Sequence, residues 1–465
     1  MPQPVRKVQP PLKFLPQRLD PLVIRVVKFL LPAWMRYKLS IASIQTENTE
    51  VLVELYQKFQ ADKVRMLLTF RHPGTADPFV MAYLLWYAVP KAARRMGVKF
   101  KEPVRSHFMY DRGIPLWAGE FVTWLFPRLG GTPIFRGKAD RQGLKAARDL
   151  MANGVIPLSL APEGGANEHS EMVGSLEPGA AQLGFWCADD LHKANRPESV
   201  YVVPIGIQYS YRDLSWSPLE DLLTEMETTA GISPEMSIPK GHLADAQADA
   251  LYGRLLRLSD HLLEIMEGFY ARYYHRTFPE IATAEPEVNG CHRNQYLTKR
   301  LKSRLEVVLQ VAEEYFGLEP KGSLSDRCRK IEQAGWSHIY RDIEELSPLE
   351  QGLADWTAEE ASLKLNHMRI VERLSSVTGH YILQKPSIDR FAETILIVWK
   401  IVEHLKGGDP HSPPDLGLKS LRITVGKPLS VTERFPTYQK DRRHARQEVE
   451  ALTRELQTSL EEMIV

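Results

Sequence analysis

The sequence predicts an α/β fold: a mixed sheet flanked by helices and interrupted by an all-helical insertion. Three patterns say so. From Val64 to Tyr211 short β-rich runs alternate with helical stretches. From about Asp213 to Leu418 the strand pattern gives way to apolar residues at helical spacing. After the Pro-rich break Gly408 to Pro414 one strand and one amphipathic helix return. With 465 residues, 43% of them hydrophobic, the chain can bury a core without disulfides or a structural metal.

In order, strands are expected at Met66 to Phe70, Val104 to Tyr110, Thr132 to Phe135, Val155 to Leu160 and Val200 to Tyr209. The helices between them are Pro78 to Val89, Pro115 to Phe126, Ala139 to Met151 and Gly179 to His192. In the insertion, Leu301, Leu305, Val308, Leu309, Ala312, Tyr315 and Phe316 mark one helix. Ile388, Phe391, Ile395, Val398, Trp399, Val402 and Leu405 mark another, opened by Ser387 and closed by Gly407 and Gly408. Leu421 to Val425 and Tyr438 to Met463 supply the closing strand and helix. The expected division is a lead-in with an amphipathic helix (1–45), the first part of the α/β domain (46–212), the insertion (213–418) and the closing part (419–465).

The 59 Lys and Arg balance 58 Asp and Glu to a net charge of +1, so the whole molecule is not an electrostatic nucleic-acid binder. Cys187, Cys291 and Cys328 are odd in number and widely spaced, as small buried hydrophobes in a reducing compartment would be. His107, His169 and His292 have no metal-ligand spacing, and no metal site is expected. The start of the chain lacks the features of a secretory signal. No stretch reaches the roughly 18 uncharged apolar residues of a spanning helix. Between Pro21 and Leu39, however, Arg25, Lys28 and Arg36 fall in one narrow arc at about 100° per residue, with Lys38 outside it, while Trp34 and the aliphatics cover most of the rest. Two readings fit: a helix lying flat on an anionic membrane, or a basic-edged helix capping the core.

The run Arg71-His72-Pro73-Gly74-Thr75-Ala76-Asp77-Pro78 ends a strand and starts a helix. Pro73 disfavours helix at His72, Gly74 permits a tight loop, and Pro78 suits a first helical position with Asp77 as N-cap. His72 and Asp77 thus come to the carboxyl end of a strand, where open α/β sheets place ligands. A carboxylate on one imidazole nitrogen fixes the tautomer and leaves the other nitrogen as a general base. A helix cap preceded by an incidental turn histidine would read the same. Three more features bear on the choice. Gly130 to Arg136 delivers an arginine from a strand end, suited to gripping phosphate. Leu158 to Gly165 ends a strand in a turn carrying Glu163 and Gly164. Val202 to Ile207 is an apolar strand with Pro204 inside, which suits an edge or a cleft wall.

In order and spacing these four blocks resemble the glycerolipid acyltransferase family, the lysophosphatidate acyltransferases and their relatives. His72 and Asp77 match its His-x-x-x-x-Asp pair; Gly130, Ile134 and Arg136 match its second block, with Pro133 where a Phe is usual. Pro162, Glu163 and Gly164 match the third, and Val203, Pro204 and Ile205 the fourth. Leu176 to Ala181 and Ile423 to Leu429 resemble later parts of the family pattern, and the likeness covers about Val51 to Tyr211 and Ser420 to Val465. The insertion lies outside it. Arg71 stands where an Asn is usual, and Gly165-Ala166 replace a Thr-Arg.

The resemblance implies transfer of a fatty acyl group from a thioester, on coenzyme A or acyl carrier protein, to the hydroxyl of a glycerol-phosphate-based lysolipid. Lysophosphatidate giving phosphatidate is the expected case. In that reading His72 is the base, Asp77 orients it, Arg136 holds the acceptor phosphate, and Glu163 orients the acceptor. Backbone near Gly164 stabilises the oxyanion, and Pro204 lines the substrate site. Lys138 and Arg141 stand near enough in sequence to compensate for the missing arginine, or the acceptor is another lysolipid. No cofactor is implied. Peripheral attachment to the cytoplasmic face of a membrane follows. A P-loop is excluded, because Gly131 to Lys138 is one residue too long and Ala139 replaces the magnesium-binding hydroxyl; no Gly-x-Ser-x-Gly elbow exists. A non-catalytic lipid-binding scaffold is the competing reading.

Overall fold

The computed structural model describes residues 5–114, 119–135, 140–233, 243, 245–281 and 290–465. The chain forms two compact units: Lys13–Arg212 with Gly417–Val465, and Asp213–Leu416 with residues 5–12.

The first unit begins with α1 (Pro21–Tyr37), β1 (Ile41–Glu47), α2 (Thr49–Phe59) and β2 (Val64–Phe70). Next, α3 (Asp77–Tyr83) continues through a π-wound turn, Leu84–Ala88, into α4 (Val89–Arg95). It goes on with β3 (His107–Asp111), α5 (Glu120–Arg128), β4 (Gly131–Ile134), α6 (Arg141–Asn153), β5 (Leu158–Leu160), α7 (Gly179–Lys193) and β6 (Ser199–Tyr211). The second unit supplies α8 (Ser217–Thr229), α9 (Ala246–Tyr274), α10 (Gly290–Phe316), α11 (Leu324–Ile339), α12 (Pro348–Ser375), α13 (Gly379–Gln384) and α14 (Ile388–Lys406). The chain then returns to the sheet with β7 (Lys419–Val425) and β8 (Leu429–Ser430), and closes with α15 (Phe435–Tyr438) and α16 (Arg442–Glu461).

The 8-stranded sheet has the order β1-β7-β6-β2-β5-β3-β4, with β8 also on β6. From β6 to β4 every pairing is parallel, whereas β7 runs antiparallel to β6, so the sheet is mixed. Period-two alternation divides the core. Met66, Leu68, Phe70, Val203, Ile205 and Ile207 face the side packed by α1 to α4. Leu67, Val200 and Val202 face α6, α7 and α16. Covered on both faces, β2 is buried at every position, as a central parallel strand must be.

The carboxyl ends of β2, β5, β3, β4 and β6 therefore gather at one edge. On the other side of β6, antiparallel pairing with β7 runs up to Tyr211 opposite Lys419, and Arg212 N–H donates to Leu418 O at 2.9 Å. The helical unit thus occupies the place of a hairpin turn, the kind of surface tip that tolerates insertion.

Three expectations are corrected. The strand containing Pro204 is no edge: β6 lies between β2 and β7. Pro204 O accepts from Gly426 N–H at 2.9 Å, so its missing N–H also faces that side, just past the last β7 pair, Ile205 with Val425. The proline sits where the neighbour changes from β7 to β8, and costs no ladder bond to β2. The expected boundary at 45/46 falls inside β1, which belongs to the sheet through β7. Residues 5–12 do not run with α1; they join the helical unit, where Val8 N–H donates to Asp355 at 2.9 Å and Gln9 bridges Tyr340.

Asp20 caps α1 by accepting from Leu22 and Val23 N–H, ahead of Pro21 at the first helical position. Pro32 cannot donate to Lys28 O, and the Tyr87 hydroxyl donates to that carbonyl in its place. Leu31 and Met35 are buried, whereas Leu22, Val26, Phe29, Leu30, Trp34 and Tyr37 are exposed, Phe29 by 81%. Among the described residues no helix is long and apolar enough to cross a membrane.

In the helical unit Ser387 caps α14 and Gly407 ends it at φ +85°, as the sequence pattern requires. Cys328 is buried here, as Cys187 is in the sheet unit, and burial pushes both thiols up to about 12. On α12, buried His367 bonds the hydroxyls of Tyr270 (2.7 Å) and Tyr274 (3.1 Å) on α9. Burial first, then Lys364 and Arg276, hold its imidazole down to about 4. A depressed folded-state value gives stability that is present above the ordinary 6.5 and lost as pH falls toward 4. The full penalty is about 3 kcal/mol. We therefore expect urea unfolding of the helical unit to lose stability between those pH values, and His367→Gln to remove about one proton's worth of that slope. An unchanged slope would dispose of this account.

Candidate functional site

β2 delivers the site. Beyond Phe70, Arg71 N–H still reaches Ile205 O (3.0 Å), after which Pro73 and Gly74 turn the chain into α3. His72 and Asp77, five residues apart, meet: Nδ1 lies 2.8 Å from Asp77 Oδ2. Because a carboxylate only accepts, Nδ1 carries a proton, and in the neutral form of the ring Nε2 is the nitrogen that keeps its lone pair. Among the described residues Nε2 has no hydrogen-bond partner, and the imidazole is 21% exposed while the Asp77 side chain is fully buried.

Asp77 is not the N-cap that the sequence suggested. Ala76 occupies the cap position, and Asp77 is the first helical residue. Its carboxylate turns back to accept from Gly74 N–H (2.8 Å), in addition to His72. The third donor is the Tyr209 hydroxyl, 2.5 Å from Oδ1. Sequence reasoning missed Tyr209. Its signal was the alternation Val203, Ile205, Ile207, Tyr209, which puts it on the α3 face of β6 beyond the level of Phe70. Burial and the Asp77 charge hold its phenol well above the usual value, so it stays a donor.

The turn after β5 braces the other side. Glu163 Oε2 accepts from His72 N–H at 2.5 Å; Oε1 accepts from Gly174 N–H (2.8 Å) and Asn167 Nδ2 (3.1 Å). Glu163 is buried, and burial raises its pKa against the opposing pull of Arg71 and the two backbone donors. This carboxylate holds protein backbone, a different task from orienting an acceptor. Arg71 fills a matching place. At 1% exposure its guanidinium donates to the carbonyls of Ser170 (2.6 Å), His169 (2.9 Å) and Met172 (2.6 Å), pinning the loop that follows Glu163. Asn167 closes the circuit, its N–H donating to His72 O at 3.2 Å.

Gly164 adopts φ +71°, a left-handed turn that glycine favours, and its N–H closes the turn onto Ala161 O at 3.3 Å. Pro204 pairs with Thr69 one residue below the end of β2, under the His72 turn. Arg136 and Lys138 lie outside the described residues. Among the described residues, Arg112 is a cation at the neighbouring strand ends, after β3, buried and donating to Asp140 at 2.8 Å, with its guanidinium 4.0 Å from the Phe135 ring. His107 and His169 are packed into the structure, bonded to the Gly130 and Asn167 carbonyls.

α3 also meets the exposed face of α1: Trp34 and Phe79 rings lie 6.2 Å apart. The segment before α1 bonds the end of α5 through Arg18 and Asp20 N–H. α5 adds exposed Phe121 and Trp124, stacked at 5.5 Å.

No protein-family model matches the chain, and no curated protein matches it. The chemistry rests on the residues themselves.

Tyr209→Phe leaves Asp77 Oδ1 buried without that donor. It should lower stability by about 1–3 kcal/mol, read from the urea midpoint. A midpoint equal to wild type would show that the bond contributes nothing.

Proposed function

We propose that the protein is an O-acyltransferase that moves a fatty acyl group from a thioester to the hydroxyl of a glycerol-phosphate-based lysolipid, lysophosphatidate giving phosphatidate. The observation that carries the reading is His72, with Nδ1 on Asp77 and Nε2 open, at the carboxyl end of β2. Nε2 takes the proton of the acceptor hydroxyl as the oxygen attacks the thioester carbonyl, and Asp77 stabilises the imidazolium. The tetrahedral species collapses by expelling the thiolate, which receives the proton from His72. No covalent enzyme intermediate is needed. Acyl-coenzyme A or acyl carrier protein would serve as donor.

Glu163 acts as a positioning residue, because it holds the backbone of the base. Arg136 is assigned the acceptor phosphate on the sequence resemblance. Peripheral membrane attachment is supported by the exposed aromatic and aliphatic face of α1, edged by exposed Arg25 and Arg36 and touching the helix that carries Asp77. A second acceptor class stays open on one observation: Arg71 is spent on carbonyls, so it does not replace the arginine missing from the third block.

The test is transfer of labelled acyl groups from both thioesters to phosphorylated and neutral lysolipids. His72→Ala should lower turnover by about 10²–10⁴-fold. Glu163→Gln presents an amide donor to one of its three donors, and should lower kcat on the order of tenfold with KM little changed. Arg136→Ala should weaken phosphorylated acceptors more than neutral ones. Persistent transfer by His72→Ala would exclude it as the base, and no transfer to any acceptor would leave the scaffold reading.

A further inference from the structure

α12 presents to solvent a face that the packing of its own unit does not explain. Ser347 and Glu350 cap each other's backbone and Pro348 takes the first helical position, so the helix is fixed from its first turn. Ala354, Ala358, Ala361 and Leu365 are buried and mark its inward side. One flank is covered by the start of the chain: Val8 N–H donates to Asp355 at 2.9 Å, Val5 N–H to Ser362 Oγ at 3.0 Å, and Arg6 pairs with Glu359 at 3.9 Å. The side opposite the alanines carries Leu349, Leu353, Trp356 and Leu363, all exposed, Trp356 by 70%. They lie within an arc of about 80° and span roughly 21 Å of helix. Single exposed apolar side chains are ordinary, whereas four in line around a tryptophan mark a contact surface.

Two features define the partner that fits. Gly352, three residues after Leu349 and four before Trp356, is exposed, and a Cβ added there would meet nothing within 4 Å. Glycine is a poor helix former, and among the described residues no neighbour requires one here. What it does is leave a notch where another backbone can come close to the helix. The second feature is charge. Between Asp342 and Glu360 the chain has seven carboxylates and no Lys or Arg. Glu344, Glu345 and Glu350 are exposed around the start of the stripe, and exposed Glu360 lies between Trp356 and Leu363. Such a rim repels an anionic bilayer and attracts cations, the reverse of α1 with its exposed Arg25 and Arg36.

We propose that this face of α12 docks a basic amphipathic helix of a partner protein. The partner's apolar side lies on Leu349, Leu353 and Trp356, its backbone comes nearest at Gly352, and its Lys or Arg side chains meet the acidic rim. The inference is independent of acyl transfer at His72.

The test uses the full chain and a rhodamine-labelled amphipathic peptide of leucine and lysine, followed by fluorescence anisotropy, with a leucine–glutamate peptide of the same pattern as control. Saturable binding of the lysine peptide is expected, and none of the glutamate peptide. Trp356→Ala should weaken binding roughly tenfold. Gly352→Gln fills the notch and should weaken it roughly fivefold. Glu344→Lys with Glu345→Lys should also weaken it roughly fivefold and flatten its salt dependence. These are surface substitutions, and circular dichroism checks their folding. His72→Ala should bind as wild type does. The proposal is overturned if the lysine peptide does not saturate, if the glutamate peptide binds as well, if any of the three α12 variants binds as wild type does, or if His72→Ala weakens binding as much as they do. Two other occupants are read separately. Loss of sedimentation with phosphatidylglycerol vesicles in Trp356→Ala would make the face a membrane contact, and conversion of a dimer to a monomer by the same substitution, seen by sedimentation velocity, would make it the seat of a second copy. Either result also overturns the proposal.

Discussion

Burying a carboxylate costs several kcal/mol unless donors surround it. Asp77 is fully buried and meets the requirement with three: Gly74 N–H from its own loop, the His72 imidazole, and the Tyr209 hydroxyl from β6. The first sets the shape of the loop, the third ties it to the sheet, and the second is the one that chemistry can use. The imidazole is fixed because the carboxylate has few other ways to be satisfied. One electrostatic demand therefore sets the tautomer and direction of His72 and the entry angle of α3.

A second buried pair works at longer range. Arg71 and Glu163 sit on adjoining strand ends and hold each other's turns: Glu163 accepts from the residue after Arg71, and Arg71 donates to the loop that follows Glu163. Each charge moderates the burial cost of the other: burial raises the Glu163 pKa, and the Arg71 guanidinium opposes that rise. Removing either one would strand its partner. The arginine that looks anomalous in the motif is thus accounted for by the loop it supports.

Local signals made much of this legible. Strand and helix alternation located β2 to β6, the Ser387 cap and Gly407 stop located α14, and the short His72 to Asp77 spacing placed two side chains that do meet. The misreadings share a cause, which is dependence on distant residues. β1 pairs with β7 across most of the chain, so its weak alternation gave little notice. Pro204 looked like an edge residue because the change of partner from β7 to β8 lies more than two hundred residues on in sequence. Asp77 looked like a cap because Tyr209 was out of view. In each case propensity described the segment correctly and tertiary partners decided its use.

The antiparallel seam between β6 and β7 also bears on how the chain reaches its native state. Those strands are separated by roughly 200 residues, and closing so long a flexible loop costs about 3 kcal/mol more than closing a short turn. In the folded chain Arg212 N–H meets Leu418 O, so the two ends of that loop stand side by side, and condensation of the helices makes the long loop in effect a short one. The last two strands and α16 would then zip on late. Assembly of the sheet would be gated by prior order in the segment that splits it, so mutations deep among the helices would slow maturation of a site they never touch.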